Sequence, residues 1–270
     1  MKSFAYHQPR SIDEAAALFA AGADTRPLAG GMTLLPTMKQ RLAAPAALID
    51  LAAIPSLKGM SESDGMLAIG AMTRHADVAQ SPLVAAANPA LAMLAAGIGD
   101  PAVRNRGTIG GSLANNDPSA DYPAALLGLG GTVVTSRREI AADDFFRGLF
   151  ETALEPDELI VAVRLPRPQA AGYAKFPSPA SRYALTGVFV AKFDEGVRVA
   201  ITGAGPGVFR AAAFEAALTR RFEPEAIAAL ALDPSGLVSD IHADAAFRAH
   251  LVTVMGKRAV AAAQAAARGM

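Results

Sequence analysis

Two paired glycines, Gly30-Gly31 and Gly110-Gly111, stand about 80 residues apart, each inside a run of small and hydroxyl-bearing residues. Paired glycines let the backbone approach a bulky group closely and leave amide N–H groups pointing outward. The first run, Ala29-Gly30-Gly31-Met32-Thr33-Leu34-Leu35-Pro36, joins a predicted strand (Arg26–Ala29) to a predicted helix (Thr33–Gln40). Backbone without Cβ atoms approaches a bulky anion closely, a helix N-terminus adds partial positive charge, and Thr33 supplies a hydroxyl. A pyrophosphate needs these features. The second run, Thr108-Ile109-Gly110-Gly111-Ser112, has the same ingredients. One pair alone reads more readily as a strand end or tight turn. Two suggest a diphosphate gripped from both sides.

The surrounding pattern alternates strands and helices, as in an α/β unit. Strands are predicted at Ser3–Tyr6 and Ala47–Leu51, and Ser11-Ile12-Asp13-Glu14 has the form of a capping box for a helix through Ala20. Leu57–Ala71 reads as a hairpin turning at Ser63-Asp64-Gly65. Helices are expected over Arg74–Ala79 and Leu83–Ala96, with Thr73 and Ser81 as N-caps and Pro82 in the first helical position. Gly97–Asp121 is rich in Gly, Asn and Asp and reads as irregular backbone, which at such length is usually functional. Asp121 suits either hydrogen bonding to ligand hydroxyls or an N-cap for the next helix, Pro123–Leu129. Arg104 and Arg106 suit either phosphate or the surface.

Strands Thr132–Thr135 and Leu159–Leu165 precede Pro166-Arg167-Pro168, the best linker candidate, which divides the chain into residues 1–168 and 169–270. Beyond it come a hairpin (Ala184–Phe193 with Val197–Thr202) and helical patches near Glu215–Arg221, Pro224–Ala231 and Ala243–Ala267. Gly203-Ala204-Gly205-Pro206-Gly207 imitates a dinucleotide fingerprint. Its third glycine is misplaced and Pro206 removes a donor, so it reads as a plain connection.

Composition removes several classes of function. Lys+Arg and Asp+Glu are 25 each, which gives no electrostatic reason to expect nucleic acid or an anionic membrane. Without cysteine there is no disulfide, no thiolate-held iron–sulfur cluster and no cysteinyl-flavin bond. His7, His75, His242 and His250 form no ligand pair, so no metal site is expected. No nucleophile elbow, Walker loop or acid–base pair is evident, and no catalytic residue is assigned. The opening residues lack a secretory leader, and no apolar stretch reaches membrane length, so membrane insertion is not expected and the cytoplasm is the expected location.

Pro27-Leu28-Ala29-Gly30-Gly31-Met32-Thr33-Leu34-Leu35-Pro36-Thr37-Met38-Lys39 resembles the first FAD-binding segment of the molybdopterin-dehydrogenase flavoprotein family. That family includes the medium subunit of bacterial carbon monoxide dehydrogenase and the middle portion of xanthine dehydrogenase. The run from Ile98-Gly99-Asp100-Pro101 through Asn105-Arg106-Gly107-Thr108-Ile109-Gly110-Gly111-Ser112 to Asp121 looks like its second segment. Phe4–Pro9, Ile69–Thr73, Pro156–Ile160 and Pro179–Ala184 extend the likeness over nearly the whole chain.

The resemblance implies an α+β fold: a two-subdomain FAD-binding domain of PCMH type (subdomains about 1–55 and 56–168), then a smaller C-terminal α+β domain of the CO dehydrogenase flavoprotein type. It implies non-covalent FAD. Leu28, Ala29, Gly30, Gly31, Met32, Thr33 and Leu35 would line the diphosphate and adenine side. Ile98, Val103, Thr108, Gly110, Gly111, Ser112, Ala114 and Asn115 would follow the cofactor, with Asp121 taking polar contacts. Ile160 and Lys175 would approach the flavin ring and Tyr183 would cover one face. The chain departs from the family pattern at Met32 and Ser112. The implied partners are a small [2Fe–2S] subunit and a large molybdenum-cofactor subunit, with electrons passing from the clusters to FAD and on to an acceptor. Two other readings stand beside it: a stand-alone FAD-dependent oxidoreductase of related fold, and a scaffold protein that has lost its cofactor.

Overall fold

The first fifty residues make a small parallel sheet because its first two strands are each followed by a helix that carries the chain back. The computed structural model describes residues 1–22 and 24–268. β1 (Ala5–His7) leads into α1 (Ile12–Ala21), β2 (Thr25–Leu28) into α2 (Leu34–Lys39), and β3 (Ala47–Asp50) inserts between them in the order β1-β3-β2. The capping box forms with one change. Ser11 Oγ accepts from Glu14 N at 3.2 Å, while the Glu14 carboxylate accepts from Arg10 N instead of Ser11 N. Because the strands are parallel, their C-terminal ends share one edge, and β2 delivers Leu28 and the first glycine pair there.

An antiparallel sheet follows. β4 (Met60–Ser63) and β5 (Met66–Gly70) form the expected hairpin, turning through Asp64 and Gly65 at positive φ. Next come α3 (His75–Gln80), α4 (Pro82–Ala87) and α5 (Pro89–Ala96). Two expectations fail here. Thr73 does not cap α3, whose N-cap is Arg74; the Thr73 hydroxyl instead donates to Gly59 O at 3.1 Å and ties the helix entry to the hairpin. The single helix expected over 83–96 is two. Asn88 leaves helical dihedrals before Pro89, and its side chain caps α5 by accepting from Leu91 N at 3.2 Å.

The stretch expected to be irregular contains two short helices, α6 (Pro101–Arg104) and α7 (Ile109–Asn115), capped by Asp100 and Thr108. Gly110 and Gly111 lie in the first turn of α7. Their low helix propensity is offset by close approach, since a Cβ on Gly110 would sit 2.6 Å from Ala71 Cβ. Then come α8 (Tyr122–Leu129), β6 (Thr132–Thr135), β7 (Glu139–Ala141), α9 (Ala142–Phe145), the hairpin β8 (Phe146–Gly148) with β9 (Glu151–Thr152), and β10 (Ile160–Pro166). The five-stranded sheet has the order β4-β5-β10-β6-β7.

Beyond Pro166-Arg167-Pro168, β11 (Ala170–Pro177), β12 (Ala184–Phe193), β13 (Gly196–Thr202) and β14 (Phe209–Arg210) form an antiparallel sheet in sequence order. β11 is absent from the sequence reading, because its Ala- and Gly-rich first half shows little alternation. The segment Gly203–Gly207 connects β13 to β14. α10 (Ala212–Arg220) and α11 (Ala245–Arg268) complete the chain, while the helix expected over 224–231 is only a 3-10 turn at Pro224–Ile227.

All eight residues of α8 are buried. An element apolar all round must be covered all round. α8 joins Leu67, Ile69 and Val163 of the central sheet in one core with Phe189, Ala191 and Ala200 of the C-terminal sheet. Arg198 of β13 donates to Leu127 O at 2.9 Å, satisfying a carbonyl at the end of α8, and Gly130 in the left-handed region ends the helix.

Candidate functional site

The fold brings the two glycine pairs into contact. A Cβ on Gly30 would lie 2.1 Å from Arg106 O and 2.7 Å from Gly107 Cα, so the first segment rests directly on the backbone leading into α7. A Cβ on Gly111 would lie 3.3 Å from Ala29 Cβ. Gly31 has φ +73°, a conformation open to glycine, and its carbonyl accepts from Leu35 N at 3.1 Å to start α2. Leu28, Ala29 and Leu35 are half-buried, whereas Met32 and Thr33 are exposed along the same strip.

The two pairs differ in what their amides do. Around α7, Ile109 N donates to Thr73 O (3.1 Å), Gly110 N to Ala71 O (2.9 Å) and Gly111 N to Thr108 Oγ1 (3.2 Å). The first two donors hold α7 to the residues just after β5, and the third is the helix's own N-cap. The amides of Gly30, Gly31, Met32, Thr33 and Leu34 have no acceptor among the described residues. Five consecutive donors at an open helix entry, with no Cβ at two of them, fit a phosphate group. The symmetric two-cradle expectation therefore becomes an asymmetric one. The first segment presents donors, and the second is a small-residue buttress that lets it close up.

Beneath the buttress lies His75. Its amide donates to Gly107 O at 2.9 Å, and a Cβ on Gly107 would strike its ring at 2.5 Å from Nε2. Burial, with the nearby Arg104 charge, holds the imidazole down to about 4. Its Nδ1 and the hydroxyl of neighbouring Tyr122 are buried without partners, the rings 5.3 Å apart. Arg104 is a staple for this loop, donating to Ile98 O at 3.0 Å and Gly99 O at 3.2 Å. Val103 packs on Gly99, where a Cβ would lie 3.1 Å from it. Ile98, Ser112 and Asn115 are half-buried and Ala114 is exposed.

Asp121 makes no capping bond to α8, although it occupies the N-cap position. Its carboxylate accepts from the Tyr173 hydroxyl and from Lys175 Nζ at 3.1 Å, and Lys175 also donates to Gly97 O at 2.9 Å. Burial pushes the Asp121 carboxyl up, opposed by the Lys175 charge and the two hydrogen bonds. Tyr183, 44% exposed, stands close enough to Asp117 and Asp121 that, together with burial, they raise its phenol. Ile160 is buried in the central core, one position before Val161, whose carbonyl receives Ala71 N at 2.9 Å. Tyr173, Gly107 and His75 are the participants that sequence reasoning missed. Only Gly107 carried a signal, as part of the second segment.

Depressions elsewhere among the described residues include two that stand apart from this site. One is lined by Ala86–Pro89 and Arg167–Ala171, the other by α11 with residues 228–234, and neither includes a residue of the glycine segments. Among the described residues no cluster of His, Asp or Glu is arranged to hold a metal ion, and no helix is long and apolar enough to cross a membrane.

Comparison with known proteins converges on one group. Residues 2–168 match the family described as FAD binding domain in molybdopterin dehydrogenase. The carbon monoxide dehydrogenase medium chain of Hydrogenophaga pseudoflava is 38% identical, with 97% of each chain covered. The nicotine 6-hydroxylase medium subunit of Paenarthrobacter nicotinovorans is also 38% identical, covering 96% of this chain and 97% of the relative. Among solved structures, quinoline 2-oxidoreductase from Pseudomonas putida 86 superimposes with a TM-score of 0.90 at 32% identity, covering 99% of this chain and 100% of that one.

Proposed function

The chain belongs to the molybdopterin-dehydrogenase FAD-binding family, and from that premise we propose that it is the flavoprotein subunit of a molybdenum-hydroxylase-type dehydrogenase. The observation that carries the reading is the run of unpartnered amides from Gly30 to Leu34, set against the Gly107–Gly111 buttress. Bound FAD would supply the ability to accept electrons and hand them to an external acceptor. In this reading the amides of residues 30–34 hold the diphosphate, with Leu28, Ala29 and Leu35 as the apolar floor and Met32 and Thr33 at the rim. Thr108, Gly110 and Gly111 act mainly by letting the segments pack. Ile98, Val103, Ser112, Ala114 and Asn115 follow the cofactor, and Asp121, Ile160, Lys175 and Tyr183 belong to its flavin end.

The remaining assignments follow from the same reading. In this reading FAD is held non-covalently; the absence of cysteine removes the cysteinyl route to a covalent flavin. The partners are a small [2Fe–2S] subunit and a large molybdenum-cofactor subunit in a heterotrimeric cytoplasmic assembly, with the oxidised substrate bound on the latter. The division at residue 168 separates the FAD-binding domain from the C-terminal domain.

The test is direct. Acid precipitation of the purified yellow chain should release all flavin to the supernatant. Under anaerobic conditions a reduced iron–sulfur partner should bleach the flavin rapidly, and candidate aldehydes or N-heterocycles added to the isolated chain should not. Rapid bleaching of the isolated chain by such a compound would favour the stand-alone oxidoreductase, and failure to bind FAD would favour the scaffold.

A further inference from the structure

Lys175 is not a free cation. It lies on β11 beside Gly97 and Asp121, with its side chain only 12% exposed and its ammonium 3.0 Å from Asp121 Oδ1. A buried ion pair with a single carboxylate is orientationally loose unless the remaining lone pairs of that carboxylate are held by other donors. Here the second donor comes from the same strand. Tyr173 and Lys175 are two residues apart on β11 and so project from one face, toward Asp121. The opposite face, at Gly172, packs on α11, where a Cβ would lie 2.0 Å from Ala259 O.

The neighbouring strand is shaped for this contact. Gly187 of β12 is the register partner of Lys175, and a Cβ there would fall 2.5 Å from the Tyr173 hydroxyl and 2.9 Å from Thr202 Cγ2. The missing side chain is the space that the hydroxyl occupies. Tyr173 also packs near Phe189, with ring centroids 6.2 Å apart, so its ring is held independently of its hydroxyl.

We infer that Tyr173 is a positioning residue: through its hydrogen bond to Asp121 it fixes the ammonium of Lys175 at the flavin end of the site. The inference rests on the functional reading above for the words "flavin end", but not for the coupling among the three side chains. Asp121 is shared between a cation that neutralises it and a phenol that orients it. Losing the phenol leaves one carboxylate oxygen buried without that donor, which favours the protonated acid. The ammonium of Lys175 would then lose its charged partner. The other ionisable groups near Asp121 are Tyr122, whose phenol is raised chiefly by burial, Tyr183 and, on the side of Tyr183, Asp117.

The experiment follows the Asp121 carboxyl by carbon NMR across a pH titration, in the flavin-free full-length chain and again with FAD. Tyr173→Phe keeps the ring and removes the donor, and the Asp121 proton affinity should rise about tenfold. Gly187→Ala, whose added Cβ would meet the Tyr173 hydroxyl first, should shift it in the same direction by displacing that hydroxyl. In flavin-loaded protein the pH at which the flavin midpoint potential changes slope should move upward with it, and that break should vanish in Asp121→Asn. An Asp121 titration that moves by less than twofold in folded Tyr173→Phe, or in folded Gly187→Ala, overturns the inference. An Asp121 shift without any change in the flavin's pH profile refutes the placement at the flavin end. If the chain binds no FAD, the functional reading fails, while the flavin-free titration still decides whether Tyr173 positions the pair.

Discussion

Acidification should weaken this fold through one imidazole, and His75→Leu should remove the effect. Unfolded, His75 titrates near 6.5; folded, burial and the Arg104 charge hold it down to about 4. The unfolded chain therefore takes up the proton first as pH falls. The stability associated with neutral His75 is complete above about pH 6.5 and is lost progressively toward pH 4. Each tenfold difference in proton affinity is worth ~1.4 kcal/mol, so the whole window amounts to roughly 3 kcal/mol. About 2 kcal/mol of it should already be lost between pH 7 and pH 4.5. Asp121, whose carboxyl is raised by burial, has the opposite sign, binding its proton more readily in the folded state. Both proteins contain it, so it drops out of the comparison. The assay is urea unfolding of the flavin-free chain at the two pH values, followed by far-UV circular dichroism because the chain has no tryptophan. His75→Leu costs packing at pH 7, but the quantity read is the change with pH. Wild type should lose about 2 kcal/mol more than the variant on acidification. Equal losses, within about 0.5 kcal/mol, would show that His75 is not the titrating group and refute the reasoning.

Three further outcomes are expected. Tyr122→Phe removes a buried hydroxyl without a partner, so the variant should be as stable as wild type or up to ~1 kcal/mol more stable; a clear loss in urea melts would mean that the hydroxyl is hydrogen-bonded. Gly30→Ala places a methyl group against Arg106 O and should cost about 1–3 kcal/mol while lowering the flavin-to-protein ratio, both read on one preparation. Gly111→Val should strip the flavin from a folded chain, because the added branch forces Ala29 and the donor strip away. Gly205→Val, whose Cβ would first meet the Phe209 ring at 3.0 Å, should keep it; the reverse pattern would relocate the cofactor.

Much of the backbone was readable because local chemistry and the fold agree. Ser11 with Glu14, Ser81 with Pro82, the Asp64-Gly65 turn and the Asp194–Gly196 hairpin all act within a few residues of themselves. The break at Asn88-Pro89 was also written locally, and the apolar run across it concealed the proline's meaning. The glycine pairs disclosed a site but not the division of labour between them. Which amides remain free depends on whether Thr73 O and Ala71 O lie opposite, and those partners are more than 30 residues away. β11 was least legible, because its stability comes from pairing with β12 and covering by α11, not from its own pattern. The Tyr173–Asp121 contact spans 52 residues, and nothing near either residue in sequence announces the other. The fold class and the cofactor assignment came from the resemblance of whole segments, which carries the packing solution that single residues do not.

The enclosure of α8 bears on how such a chain is inherited. Residues 122–129 belong by sequence to the segment that matches the FAD-binding family, yet Phe189 and Ala200 form part of their cover and Arg198 satisfies the end of the helix. A cut after Pro168 would expose an eight-residue apolar helix together with the core around it, a surface that invites aggregation. Exchange of the C-terminal segment between relatives by recombination would succeed only where the incoming sheet carried the complementary side chains. The Pro166-Arg167-Pro168 stretch thus does not fall at a seam in the core. Selection on residues 169–270 should therefore act on them as part of the cofactor-binding half, even where they are far from any cofactor.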